Sequence, residues 1–166
     1  GSNGLKVLEI NSRPGDPEMI NIMPLLENDF VDICLDILES NLKGLDFMDK
    51  ASVVTYKVPW DYGRDERYKG DKEVDLTDAL KMKEQYGNQL RIYPADLELK
   101  GEETYSISSR TVCAVGIADT IEKARKISQK AIKEIKAYGY DELNIQTGTD
   151  TKGKTEPTDE NKIKPF

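Results

Sequence analysis

A chain of 166 residues and 18.7 kDa suits one ordinary domain, or a small domain joined to part of another, against roughly 100 to 200 residues per domain. Its 24 Lys and Arg against 31 Asp and Glu leave a net charge of −7, so no general positive field draws in phosphate backbones and nucleic acid is disfavoured as a partner. The chain has 0 histidines, which removes Ser-His-Asp and Cys-His catalysis, His-ligated zinc and imidazole proton transfer; any catalysis falls to carboxylates, Lys, Arg, amides or a hard metal ion.

Hydrophobic residues at 37% permit a core, and charged residues at 33% mark a soluble, globular chain. Cys34 and Cys113 each lie in an apolar run far from the other, which predicts buried thiols in a reducing cytoplasm rather than a disulfide framework. No apolar stretch approaches the roughly 20 residues that span a bilayer, and the opening Gly1-Ser2 reads as a cloning remnant, not the start of a signal peptide.

Residues 5–10 (LKVLEI) read as a short strand stopped by the loop at 12–17. A strand needs a partner for its ladder groups, so one that opens a chain suggests a piece of something larger. Asn28 or Asp29 then caps a helix whose apolar positions Phe30, Ile33, Cys34, Ile37 and Leu38 recur at helical spacing, ending near 41–44. Residues 51–58 (ASVVTYKV) form a β-branched strand that stops at Pro59, and 61–75 read as a long, charge-dense loop. Residues 90–93, 96–99, 104–108 and 110–117 supply further strands, with a hairpin turn at Lys100-Gly101. Asp119 and Glu122 give a capping-box signature for a helix to about residue 137, its apolar face traced by Ile121, Ala124, Ile127, Ala131, Ile132 and Ile135 and its outer face basic but solvated. From residue 147 the chain is polar and reads as a tail without a core.

The chemistry concentrates in LEINSRPGDPE, residues 8–18. Glu9 and Asn11 are two apart on the expected strand, so both oxygens project from one face. That is the minimum a hard cation such as Mg²⁺ (or Mn²⁺) takes from protein when waters and nucleotide phosphates complete its shell; it is equally the pattern of a solvated strand face. Arg13 follows at the same spacing, suited to stabilising charge on a phosphoryl or carboxylate group, and Gly15 lets the backbone approach a ligand closely. Asp16 and Glu18 flank Pro17, where Asp16 could orient a substrate amine or cap its own turn. Trp60, beside Tyr62, reads as a loop anchor.

This stretch, followed by NIMPLL and NDFVDICLDILESNL, resembles the end of the ATP-grasp domain of phosphoribosylamine glycine ligases, also called glycinamide ribonucleotide synthetases. The segments ASVVTYKVPWDYG, Lys69-Gly70-Asp71, IYPADLELKGE and RTVCAVGIADTIEKARKISQKAIKEI resemble the same family's C-terminal domain, in order, over residues 5–135. The resemblance implies an α+β fold: the last strand and helix of an ATP-grasp domain at 1–44, a small β-rich C-terminal domain with a packed helix at 45–146, and the polar tail at 147–166. It implies Glu9 and Asn11 as Mg²⁺ ligands, residues 13–18 lining the acyl-transfer site with Arg13 and Asp16 catalytic and Gly15 and Glu18 substrate-binding, and ATP, glycine and 5-phosphoribosylamine as substrates in purine biosynthesis.

The chain departs from the family pattern at Pro14, at Ile20 and after Tyr62. Ser108-Ser109-Arg110 stands where the family commonly has Gly-Gly-Arg, which implies a substrate-phosphate contact for Arg110; on its own the residue reads as a surface arginine at a strand start. The family's amino-terminal substrate domain and nucleotide lid do not precede Gly1, so the chain alone is expected to be inactive and to complete a site shared with those parts. A stand-alone module that docks by strand complementation, and another ATP-grasp carboxylate-amine ligase, are the rival readings.

Overall fold

The computed structural model describes residues 7, 10, 12–58, 72–107 and 109–137, and the backbone of 145–148. It is an α+β protein, as the sequence leads one to expect, and its strands form two antiparallel four-stranded sheets. The larger sheet runs β3 (Leu90–Pro94), β6 (Val112–Ala118), β1 (Ala51–Lys57), β8 (Ile145–Gly148); the smaller runs β4 (Leu97–Lys100), β5 (Glu103–Ser106), β2 (Lys72–Asp75), β7 (Lys136–Ala137). The helices are α1 (Glu18–Ile22), α2 (Phe30–Leu38), α3 (Thr77–Tyr86) and α4 (Ile121–Lys133).

The two central strands of the larger sheet are covered on both sides, which is why VCAVGIA reads as an unbroken run of small and apolar residues rather than an alternation. One face presents Val53, Ala114 and Ala118 to Ala124, Ala131 and Ile132 of α4, with Met82 of α3 and Leu90 closing the same core. The other presents Val54, Tyr56, Val58, Cys113, Val115 and Ile117, and onto it pack Ile20 of α1 and Leu25 of the 3₁₀ turn Met23–Leu25. The segment that carries the Arg13–Glu18 motif is thus docked on the back of this sheet.

Gly116 permits the closest approach between sheet and helix. A β-carbon there would collide with the carbonyl oxygen of Ala124 and sit 2.8 Å from the amide nitrogen of Ser128. Beside it the fully buried hydroxyls of Thr55 and Ser128 hydrogen-bond at 2.8 Å, and Ser128 Oγ lies 3.1 Å from the Arg125 carbonyl oxygen, so both hydroxyls have partners out of water. At the far end of α4 the Lys57 ammonium donates to the carbonyls of Ile132 and Ile135, where the helix leaves its last acceptors unsatisfied. Burial lowers the Lys57 pKa from its ordinary value.

Several expectations are corrected. The α4 cap is Thr120, whose side chain accepts from the amide of Lys123; Asp119 instead pairs with Lys50 and Lys123, and the helix stops at Lys133 because the chain from Lys136 joins β2 as β7. Lys72–Asp75, expected in a loop, is a strand, and the following α3 was not foreseen, since its buried residues Ala79 and Met82 give only a faint apolar stripe. Asp29, not Asn28, caps α2, accepting from the amides of Val31 and Asp32, while Asn28 clasps Asp46 across the base of the excursion. Of the apolar stripe expected on α2 only Ile33 is buried; Phe30, Ile37 and Leu38 are exposed, and so is Cys34, because no apolar surface among the described residues faces them. Val7 and Ile10, the described part of the expected first strand, lie in no strand and are exposed. Thr147 and Gly148, expected to begin a tail, pair with Thr55 and Val54 of β1. The hairpin turn at Lys100-Gly101 is present, with Gly101 at φ 69°, the left-handed region glycine enters without strain.

Candidate functional site

The site is built where the loop before α1 meets the start of β6 and the end of β1. Tyr56 lies on the α1 face of β1, 5% exposed, directly opposite Cys113 in the ladder. Its hydroxyl is the polar tip of an otherwise apolar patch, and it donates a 2.7 Å hydrogen bond to Asp16 Oδ1. Arg110 reaches the same residue: Nη1 lies 3.0 Å from the Asp16 main-chain oxygen and 3.2 Å from Asp16 Oδ2. The guanidinium also sits over the Tyr56 ring, 5.3 Å from its centroid, a cation–π arrangement. Asp16 precedes a cis peptide to Pro17, and the Asp96 amide donates to the Arg110 carbonyl at 3.0 Å, fixing the backbone from which the arginine projects.

Burial, reinforced by the Asp16 carboxylate it faces, raises the Tyr56 pKa well above the ordinary phenol value, so the residue is a permanent donor. Burial likewise pushes the Cys113 thiol up to about 12, which leaves it without thiolate character.

The structure therefore joins two of the residues singled out in the sequence, Asp16 and Arg110, which stand 94 positions apart. Arg110 precedes its strand with its side chain 29% exposed, and it is tied to the loop through Asp16. Gly15 and Glu18 also meet. The Glu18 carboxylate folds over Gly15, where a β-carbon would strike Oε2 and lie 3.1 Å from the carboxyl carbon. The Met19 amide returns to the Gly15 carbonyl at 3.0 Å, closing the loop onto the helix. Arg13 stays apart from this cluster, exposed and donating from Nη1 to the neighbouring Pro14 oxygen at 2.9 Å. Glu9, Asn11 and Trp60 lie outside the described residues, and among the described residues no group of three or more Cys, Asp or Glu converges as a metal site. Sequence reasoning missed Tyr56. The available signal was its alternation with Val54 and Val58, which puts a phenol on a buried face where its hydroxyl must find an acceptor.

The architecture has a solved counterpart: 81% of the chain superposes on 31% of the crystal structure of phosphoribosylamine–glycine ligase from Thermotoga maritima, with a TM-score of 0.61 and 21% identity, which defines the chain as having the fold of a segment of a larger ligase. The curated relatives are phosphoribosylamine–glycine ligases too. The protein from Methanococcus maripaludis strain C5 is 35% identical over 153 residues, covering 88% of this chain and 32% of that protein. Those from Methanocaldococcus jannaschii and Methanococcoides burtonii are 35% and 39% identical, covering 86% and 80% of this chain and 31% and 29% of their own lengths. No protein-family model matches the chain. The chain spans about a third of the length of the curated relatives it matches. It is related to the carboxy-terminal third of the phosphoribosylamine–glycine ligases. No helix among the described residues is long and apolar enough to cross a membrane.

Proposed function

We propose that the chain is the carboxy-terminal part of an ATP-grasp ligase of the cytoplasm that joins glycine to 5-phosphoribosylamine in purine biosynthesis. The observation that carries this reading is the junction of Asp16 with Arg110, which brings together, from distant points of the chain, two residues the family resemblance assigns to one site. In the reaction a glycine carboxylate oxygen attacks the γ-phosphorus of ATP and ADP leaves. The ribosylamine nitrogen then attacks the carbonyl carbon of glycyl phosphate, inorganic phosphate departs and the nitrogen loses a proton. Positioning and charge stabilisation carry such chemistry, so the lack of histidine is no obstacle.

Glu9 and Asn11 fit a hard divalent cation by the chemistry of their donors, one carboxylate and one amide oxygen, a set too small to hold it without phosphate oxygens and water. Mg²⁺ bound there would neutralise charge on the nucleotide phosphates. Arg13, exposed and bonded among the described residues to the neighbouring Pro14 carbonyl, is able to swing onto an anionic group. Gly15 leaves space for a ligand beside the backbone once Glu18 moves aside. Arg110, which holds the loop through Asp16, is the residue proposed to meet a substrate phosphate.

The test is glycine- and phosphoribosylamine-dependent ADP formation by a ligase polypeptide containing this chain. Glu9→Gln, which removes charge without changing volume, lowers that rate at least about a hundredfold and leaves the thermal midpoint nearly unchanged. Unaltered turnover at limiting Mg²⁺ sinks the assignment. Because the chain spans about a third of its relatives' length, the 166-residue chain assayed alone is expected to give no turnover.

A further inference from the structure

Residues 12–16 carry the reactive motif, yet they have little packing of their own. Ser12, Arg13, Pro14 and Asp16 are exposed, and Gly15 is only partly covered. Arg13 bonds the Pro14 carbonyl and Glu18 of α1 folds over Gly15, contacts local to the loop. Among the described residues, the Tyr56 and Arg110 side chains reach it from the sheet side, and both converge on Asp16. They are not equivalent. Tyr56 is 5% exposed, near the end of a strand paired on both sides, whereas Arg110 precedes its strand and rests on the Tyr56 ring.

We propose that Tyr56 is a positioning residue of the ligase site: its hydroxyl holds the Asp16 carboxylate and its ring seats Arg110, so that one rigid side chain sets the conformation of the loop at which the glycyl group is transferred. This rests on the ligase reading above. A phenol is well suited to the task. Tyrosine loses little side-chain freedom when ordered, its body packs against Val54, Val58 and Cys113, and only its tip leaves the apolar layer. The bond to a carboxylate is charge-assisted and hence stronger than a neutral one. Loop placement matters because a reacting group displaced by about 1 Å loses on the order of a hundredfold in rate.

Tyr56→Phe removes the oxygen and keeps the ring. The Asp16 carboxylate it leaves is 54% exposed and still paired with Arg110, so no charge is stranded in the core. In the 166-residue chain the amides of Met19 and Asn21, which bond the loop carbonyls of Gly15 and Pro17, then exchange hydrogen about tenfold faster, while amides of β1, β6 and α4 keep their wild-type rates. In the full-length ligase the same substitution lowers kcat for phosphoribosylamine-dependent turnover about tenfold with KM for ATP unchanged. Arg110→Gln, outside the core, accelerates the same two amides. Wild-type exchange at Met19 and Asn21 in Tyr56→Phe, or an unchanged kcat in an otherwise active ligase, overturns this proposal alone. A full-length wild type without glycine-dependent ADP formation overturns the ligase reading and this proposal together.

Discussion

Arg110 grips Asp16 twice, through the main-chain oxygen at 3.0 Å and through the carboxylate at 3.2 Å. Only the second contact is lost when the carboxylate is removed, and at 29% and 54% side-chain exposure water screens it substantially. A double-mutant cycle of Asp16→Ala with Arg110→Met, read by urea unfolding, gives a coupling of about 0.5–1 kcal/mol. A coupling of zero would mean that the pair does not persist in solution.

Gly116→Ala sets a methyl group against the backbone of α4, at the Ala124 carbonyl and the Ser128 amide. Backbone cannot rotate away as a side chain does, so the helix must lift from the sheet and weaken the contacts of Ala124 and Ala131. The expected loss is about 2–3 kcal/mol in the chemical denaturation midpoint analysis. A variant as stable as wild type would show that sheet and helix are further apart than described.

Thr55 and Ser128 are buried completely and bonded to each other. Ser128→Ala leaves the Thr55 hydroxyl without that partner and costs about 1–3 kcal/mol. Adding Thr55→Val, which removes the orphaned group at nearly constant shape, restores part of the loss. Strictly additive destabilisation in the double variant would contradict the pairing.

The two thiols differ in accessibility. Cys34 is exposed and Cys113 buried, so a disulfide reagent titrates one thiol per native chain and two in denaturant. Burial holds the Cys113 pKa above the 9.0 of an unperturbed thiol, at about 12. The sign follows from linkage: the folded state retains a proton that the unfolded chain gives up, so this contribution is whole below pH 9 and fades as pH rises from 9 toward 12. Between pH 8 and 10 the loss is on the order of 1 kcal/mol, and Cys113→Ala abolishes that part of the slope. Tyr56, raised in the same way, adds a loss of the same sign at still higher pH.

The legible parts of the sequence were those where local pattern and tertiary environment agree. ASVVTYKV and VCAVGIA are β-branched and apolar over a strand's length, and the apolar positions of α4 repeat along one face, so β1, β6 and α4 could be located. α3 could not, because a short helix that buries chiefly Ala79 and Met82 needs little apolar periodicity. β2 and β7 are too brief for any pattern and owe their existence to each other and to β5. At the site, Asp16 and Arg110 were each noticed singly; their meeting was hidden by chain separation, and the residue between them was hidden because a tyrosine in a strand looks like any other core aromatic. The solubility pattern misled at Cys34, where helical spacing promised burial that the described surroundings do not provide.

The α2 excursion leaves and re-enters the fold at one point. Leu26 and Phe47 form an antiparallel bridge, the Glu27 amide meets the Asp46 carbonyl at 2.9 Å, and Asn28 ties its amide to Asp46. A stretch whose two ends already touch behaves as an interchangeable cassette: residues 29–45 can be exchanged for a turn of a few residues, or lengthened, with the neck at 26–47 absorbing the change and the sheet behind it keeping its register.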